Sequence, residues 1–173
     1  MKLWTEGNLP PLSNGDLLPS CSCLGQQSDL VRYEVLLREG GVYVDTDMEC
    51  VRNIETLIQY GEFFALRRDP RFRTREAFSN AMFGATKGNP IMAEVVGNLR
   101  QSFRPGWTDI GPPFFSSILN RNHGKFIDLP FGISLDFTDK KRSAPTRNQS
   151  WVRVINHHSS MWFKPSMAPL KSK

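Results

Sequence analysis

An α/β domain with a mixed sheet is the fold class this sequence predicts, and three observations carry it. Short runs rich in β-branched and aromatic residues alternate with longer runs whose apolar residues recur at helical spacing. Dipeptides containing Gly or Pro (Gly40-Gly41, Asn89-Pro90, Gly111-Pro112) punctuate the joins. The 173 residues contain no internal repeat and suffice for one domain with a sizeable core.

The elements follow in order. Residues 1–27 are rich in Pro, Gly, Ser and Asn and are expected as loop, with one short edge strand around 2–5. The stretch SDLVRYEVLLREGG then predicts a helix. Ser28 reads as its N-cap, with Asp29 in the first turn, where the helix dipole favours an anion. Leu30, Tyr33 and Leu37, with Val31 and Val35, supply a broad apolar face. Gly40-Gly41 stops the helix, and Val42 to Val44 form a short buried strand that runs into Asp45-Thr46-Asp47.

Beyond that point, 54–60 reads as a short helix, 62–68 as a strand, 69–78 as an Arg-rich loop and 80–88 as a further strand. Pro90 opens one helix from an early position, and the Gly-Pro turn at 111–112 opens another. Residues 125–137 give one or two strands broken by Pro130 and Gly132. A polar loop covers 138–150, and 151–163 forms a last strand leading into a His-rich turn. The domain is expected to span 1–163, with 164–173 a frayed tail.

Charge and cysteine content narrow the function. Lys plus Arg is 22 against 17 for Asp plus Glu, a net charge of +5. That mild excess suits a nucleotide diphosphate, and it lacks the dense basic patch of a nucleic-acid binder. Cys21, Cys23 and Cys50 are an odd set, which argues against a disulfide framework; C-x-C without a second pair is a weak zinc signal. No run of about 18 or more apolar residues exists, so no membrane span is expected in this chain. The opening residues have no signal-peptide core, and a cytoplasmic location is the expectation, with a Golgi or membrane-associated one if the chain is part of a longer protein.

Asp45 and Asp47 are the candidate chemistry. Two apart, they point to one side of a regular strand, and hard oxygen ligands favour Mg²⁺ or Mn²⁺ when phosphates supply the remaining donors. The plain structural reading is a solvated acidic turn. The strand that delivers them weighs against it, because α/β sheets place ligands at the C-terminal ends of their strands.

The stretch SDLVRYEVLLREGGVYVDTDMECV resembles the signature of the sugar-transferring glycosyltransferases with a DXD motif. That family includes fungal initiating α-mannosyltransferases and bacterial capsular-polysaccharide transferases, and is related to the glucosylating clostridial toxins. Asp29, Arg32, Tyr33, Gly40, Gly41, Tyr43, Asp45 and Asp47 match its pattern. NAMFGATKGNPIM, IGPPFFSSIL and INHHSSMW resemble later segments of it. The resemblance implies a GT-A type nucleotide-sugar-binding sheet, here lacking the family's first strand, since the chain opens at KLWTEGNLP. It implies a metal-dependent, retaining hexosyltransferase that moves sugar from a nucleotide-diphosphate donor to a glycan or lipid-linked acceptor, with Mn²⁺ or Mg²⁺ as cofactor.

Site roles follow from that resemblance. Asp47 is the expected metal ligand, with Asp45 on donor hydroxyls or the metal, and His157 is preferred over His158 as a further ligand. Asp29 and Arg32, on one helix face, are expected to reach the sugar or phosphate. Tyr33, Asn80 and Trp162 complete the donor-binding set; Asp45, Asp47 and Arg32 are the catalytic set. The plain readings are helix-end stabilisation for Asp29, a surface ion pair for Arg32, a turn cap for Asn80 and core for Trp162. Lys87 and Arg68 read as solvated surface. Two rivals stand beside this reading: a truncated, non-catalytic sugar-nucleotide-binding remnant, and a metal-dependent phosphoesterase, which needs more carboxylates than Glu49 supplies. Residues 69–78 and 138–150 are candidate acceptor-side loops.

Overall fold

A computed structural model of the chain describes residues 2–58, 61–67, 78–105, 109–130, 133–136 and 154–156. After a 3₁₀ segment at Gly15–Ser20 come helix α1 (Leu24–Glu39), strands β1 (Gly41–Val44) and β2 (Met48–Cys50) and the short helix α2 (Glu55–Ile58). Strands β3 (Phe63–Arg67) and β4 (Phe78–Ala85) and helices α3 (Pro90–Ser102) and α4 (Pro112–Arg121) follow. Strands β5 (Ile127–Leu129), β6 (Ser134–Asp136) and β7 (Val154–Asn156) complete the described elements.

The main sheet has the order β1-β4-β3-β5. Strand β4 runs antiparallel to both β1 and β3, and β5 runs parallel to β3, so the sheet is mixed as expected. A smaller sheet, β2-β7-β6, joins β7 antiparallel to β2 and parallel to β6.

Alternation along β3 divides the core in two. Phe63 and Ala65 face helices α1, α3 and α4, where Leu30, Tyr33, Leu36, Met92, Val95, Leu99, Phe115 and Leu119 close the larger cluster. Phe64 and Leu66 face the other way, onto Leu57, Met82 and Leu129. Phe64 also explains Gly84 of β4: a Cβ there would lie 2.2 Å from the Phe64 ring. A strand glycine is a position where another group approaches the backbone closely, and here that group is an aromatic ring.

Helix α1 departs from the sequence reading. It begins at Leu24 with Cys23 as N-cap, and its first turn holds no acid. Gln26 reaches back to accept from Ser22 N at 2.9 Å, which secures the earlier start much as a capping box does. Ser28 is therefore interior to the helix rather than its cap, and Asp29 lies beyond the first turn. Residues 2–5 form no strand, and β2 is an element that the sequence reading missed. The α3 start agrees: Pro90 follows the N-cap Asn89, whose Oδ1 accepts from Ile91 N at 3.0 Å.

Candidate functional site

The site begins with the turn between α1 and β1. Gly40 and Gly41 take φ of 72° and 106°, a region costly for residues with a Cβ. A Cβ on Gly40 would also meet Lys87 N at 2.6 Å. The two glycines let the chain reverse, so that β1 returns alongside the helix that precedes it.

Strand β1 ends at Val44, and Asp45 begins a turn. Asp45 N donates to Ala81 O at 2.9 Å, and Met48 N donates back to Asp45 O at 3.1 Å. Asp45 and Asp47 thus stand on a tight turn at the C-terminal end of a strand instead of sharing one side of an extended segment. Asp47 Oδ1 is sealed from solvent.

Strand β4 contributes through an irregularity. Its pairing with β3 passes from Ala65–Phe83 to Leu66–Ser79, which leaves Asn80, Ala81 and Met82 in a bulge. Bulges re-aim side chains and backbone groups. Here the bulge aims Asn80 Nδ2 at Asp29 Oδ1 and the Tyr33 hydroxyl, 2.8 Å from each. It also presents Asn80 O to Arg32 and Ala81 O to Asp45.

Arg32 is the hub. Its Nη1 lies 3.0 Å from Asp45 Oδ1 and donates to Asn80 O at 2.7 Å. Its Nη2 donates to Ser28 Oγ at 2.9 Å and lies 3.3 Å from Asp29 Oδ1, while Nε donates to Ser28 O at 3.2 Å. The Tyr43 ring covers the guanidinium at 4.5 Å, and the Tyr43 hydroxyl donates to Asp45 Oδ1 at 2.8 Å. Asp29 and Arg32 are only 8% and 5% exposed, so these are interior charges for which pairing is obligatory.

The electrostatics follow. Burial pushes the Asp29 carboxyl up to about 6, against the pull of Arg32 and of the Asn80 hydrogen bond. Burial likewise opposes the charge on Arg32, but Asp29 and Asp45 more than restore it, and the guanidinium stays charged. Burial raises the Tyr43 hydroxyl despite the nearby Arg32, so it remains a protonated donor toward Asp45.

The structure brings Asp29, Arg32, Tyr33, Asn80 and Asp45 into one connected cluster, with Asp47 two residues on in the same turn. Tyr33 joins from below. It is 0% exposed and stacks on Phe115 at 5.6 Å, so it meets the cluster through Asn80. His157, His158, Trp162 and Arg68 lie outside the described residues, as do residues 69–77 and 138–150. Lys87 is exposed, as its surface reading expected. Among the described residues no group of three or more His, Cys, Asp or Glu converges on one point. Two carboxylates on one turn suit a hard divalent cation whose other ligands are phosphate oxygens. Sequence reasoning missed Ser28 and the Tyr43 hydroxyl as members. The spacing of Ser28 and Arg32, four apart on a helix, was the signal that could have found the first.

A helix, a glycine turn and an acidic strand end are thus tied together around a buried arginine. Residues 19–64 match the family described as "Glycosyltransferase sugar-binding region containing DXD motif", and that segment contains the whole of α1, β1 and the acidic turn. Among curated proteins, the chain is 34% identical over 43% of its length to inositol phosphoceramide mannosyltransferase 3 of Schizosaccharomyces pombe, covering 19% of that protein. It is 27% identical over 69% of its length to inositol phosphoceramide mannosyltransferase 2 of the same yeast, covering 30% of it. Among solved structures, the PaToxG glycosyltransferase aligns at 27% identity over 57% of this chain and 35% of its own, with a TM-score of 0.42. The chain thus spans less than a third of these curated relatives. Among the described residues no helix is long and apolar enough to cross a membrane.

Proposed function

We propose that this chain carries the donor-binding part of a metal-dependent glycosyltransferase of GT-A type, which moves a sugar from a nucleotide-diphosphate donor to a hydroxyl of a glycan or lipid-linked acceptor. The observation that carries the reading is the acidic turn at the end of β1, tied by Arg32 to Asp29 within the segment that matches the sugar-binding family. The names of the yeast relatives make a mannosyl donor and an inositol phosphoceramide acceptor the first pair to test.

Asp47 and Asp45 are the residues that would hold Mn²⁺ or Mg²⁺, and such an ion supplies charge neutralisation for a departing diphosphate. Asp45 has Oδ1 bound by Arg32 and Tyr43, which favours Asp47 as the principal ligand. Asp29 and Asn80 form the floor that orients donor hydroxyls.

Transfer proceeds with retention on the donor's own face. The acceptor oxygen bonds to the anomeric carbon as the bond from that carbon to the phosphate oxygen breaks, and the acceptor proton passes to that oxygen. A trapped covalent sugar adduct on the protein would overturn this route.

Asp47→Ala tests the reading. Metal-dependent hydrolysis of the donor is expected to fall by at least about a hundredfold, with the thermal unfolding midpoint unchanged. Retained activity, or global unfolding of the variant, counts against the role given to Asp47.

A further inference from the structure

An arginine carries five N–H donors in a fixed fork; Arg32 uses three of them in hydrogen bonds to α1 and β4 and has two carboxylates at ion-pair distance. Nε donates to Ser28 O, Nη1 to Asn80 O and Nη2 to Ser28 Oγ, while Asp45 Oδ1 pairs with Nη1 and Asp29 Oδ1 with Nη2.

The partners come from three separate places. Ser28 and Asp29 belong to α1, Asp45 to the turn after β1, and Asn80 to the β4 bulge. Tyr43 closes the arrangement from β1. Its ring lies over the guanidinium, and its hydroxyl donates to the same Asp45 oxygen that Nη1 approaches. The Ser28 hydroxyl sits 3.4 Å from the Tyr43 hydroxyl, so the two side chains meet on either side of Arg32.

We propose that Ser28 and Tyr43 are positioning residues: through Arg32 they form a strut that fixes the Asp45 carboxylate, and with it the acidic turn, against helix α1. The proposal rests on the donor-binding reading for what the strut positions, but its geometry concerns this chain alone. Tyr43 and Ser28 act through Arg32 and Asp45. Removing either hydroxyl should loosen the turn while leaving the fold intact, because the Tyr43 ring keeps its packing on Phe83 and alanine is well suited to a helix interior.

The test uses Tyr43→Phe and Ser28→Ala with two readouts. In the chain alone, ¹⁵N spectra of Arg32 at low temperature are expected to show a slowly exchanging Nε–H and separate, non-averaged Nη signals. Each variant should average the Nη signals at an unchanged unfolding midpoint. Averaged Nη signals in the parent chain, or signals unaffected in both variants, overturn the strut.

The second readout is calorimetric titration with GDP-mannose, UDP-glucose and UDP-galactose in the presence of Mn²⁺. Each variant should weaken binding of the accepted probe about tenfold, the loss seen when a partner one step removed from a site is deleted. Unweakened binding in both variants overturns the positioning role of Ser28 and Tyr43. Failure of the parent chain to bind any probe overturns the donor-binding reading and the strut's part in it, while the Arg32 signals still decide whether the strut exists.

Discussion

Helix α1 buries two acids five residues apart, and they live in different worlds. Asp29 faces the sheet, beside a buried cation and the amide of Asn80. Glu34, 5% exposed, faces the N-terminal segment and has three neutral N–H groups around it. It accepts from Ser13 N at 2.8 Å and from Asn14 N and Asn14 Nδ2 at 2.7 Å each. Asn14 Nδ2 also reaches Val96 O on α3, so Glu34 latches the incoming chain to two helices. Arg100, on α3, adds an exposed pair with Asp16. The difference teaches how to tell a fastening from a site. Glu34 holds backbone and is complete in itself. Asp29 belongs to a network of charges that converges on a turn carrying further carboxylates.

The largest expected effect breaks the charged member of the comparison. Arg32→Met leaves the buried Asp29 and the Asp45 carboxylate without their cation, and a loss of about 3–5 kcal/mol is expected by urea denaturation near pH 7. A loss under 1 kcal/mol would mean that water reaches both acids and that the cluster is not an interior one.

Next comes pH. Asp29 has a folded-state pKa of about 6, raised by burial above its ordinary value of 3.8. The folded chain therefore holds this proton more tightly than the unfolded chain. The contribution of Asp29 is fully present below about pH 4 and is lost as pH rises through about 6, a change of up to about 3 kcal/mol. Asp29→Asn should flatten that part of the stability profile. Denaturation midpoints measured from pH 4 to pH 7 for parent and variant decide it, and superimposable profiles sink the assignment.

Glu34→Gln sharpens the other side. It turns one acceptor oxygen into a donor facing donors, at an expected loss of about 1–3 kcal/mol. Binding of a nucleotide sugar should not change, because the latch holds the N-terminal segment and not the acidic turn. Weakened binding at an unchanged midpoint would erase the distinction between the two acids. The smallest effect concerns neither acid and serves as a calibration. Asn89→Ala removes the side-chain cap of α3 and should cost about 1 kcal/mol, read by the same denaturation series.

Much of this architecture could be read from local chemistry. Gly40-Gly41 marked the reversal, Pro90 and Pro112 marked helix starts, and Asp45 and Asp47 stood out at the end of an apolar run. What could not be read depends on partners far along the chain. Arg32 meets Asn80 O across 48 residues, and no local pattern announces that contact. Ser28 resembled an N-cap because residues of its type favour that position. The Gln26 side chain, by reaching Ser22 N, moved the start back to Leu24 and put Ser28 at work under Arg32. Strand β2 is three residues long and takes its partner from β7, so sequence alone offered little to mark it. The Glu34 latch left no trace either, since a glutamate within a helix reads as solvent-facing by default.

The bulge in β4 carries a consequence for transplantation. The segment from Ser28 to Asp47 looks portable, a self-contained helix, turn and strand end. Two of its anchor points are nevertheless backbone oxygens of another strand, Asn80 O for Arg32 and Ala81 O for Asp45 N. A scaffold offering a regular strand at that place would supply neither at the right height. Grafting this acidic turn into a new host therefore means carrying the irregular strand with it, as a lock travels with its strike plate.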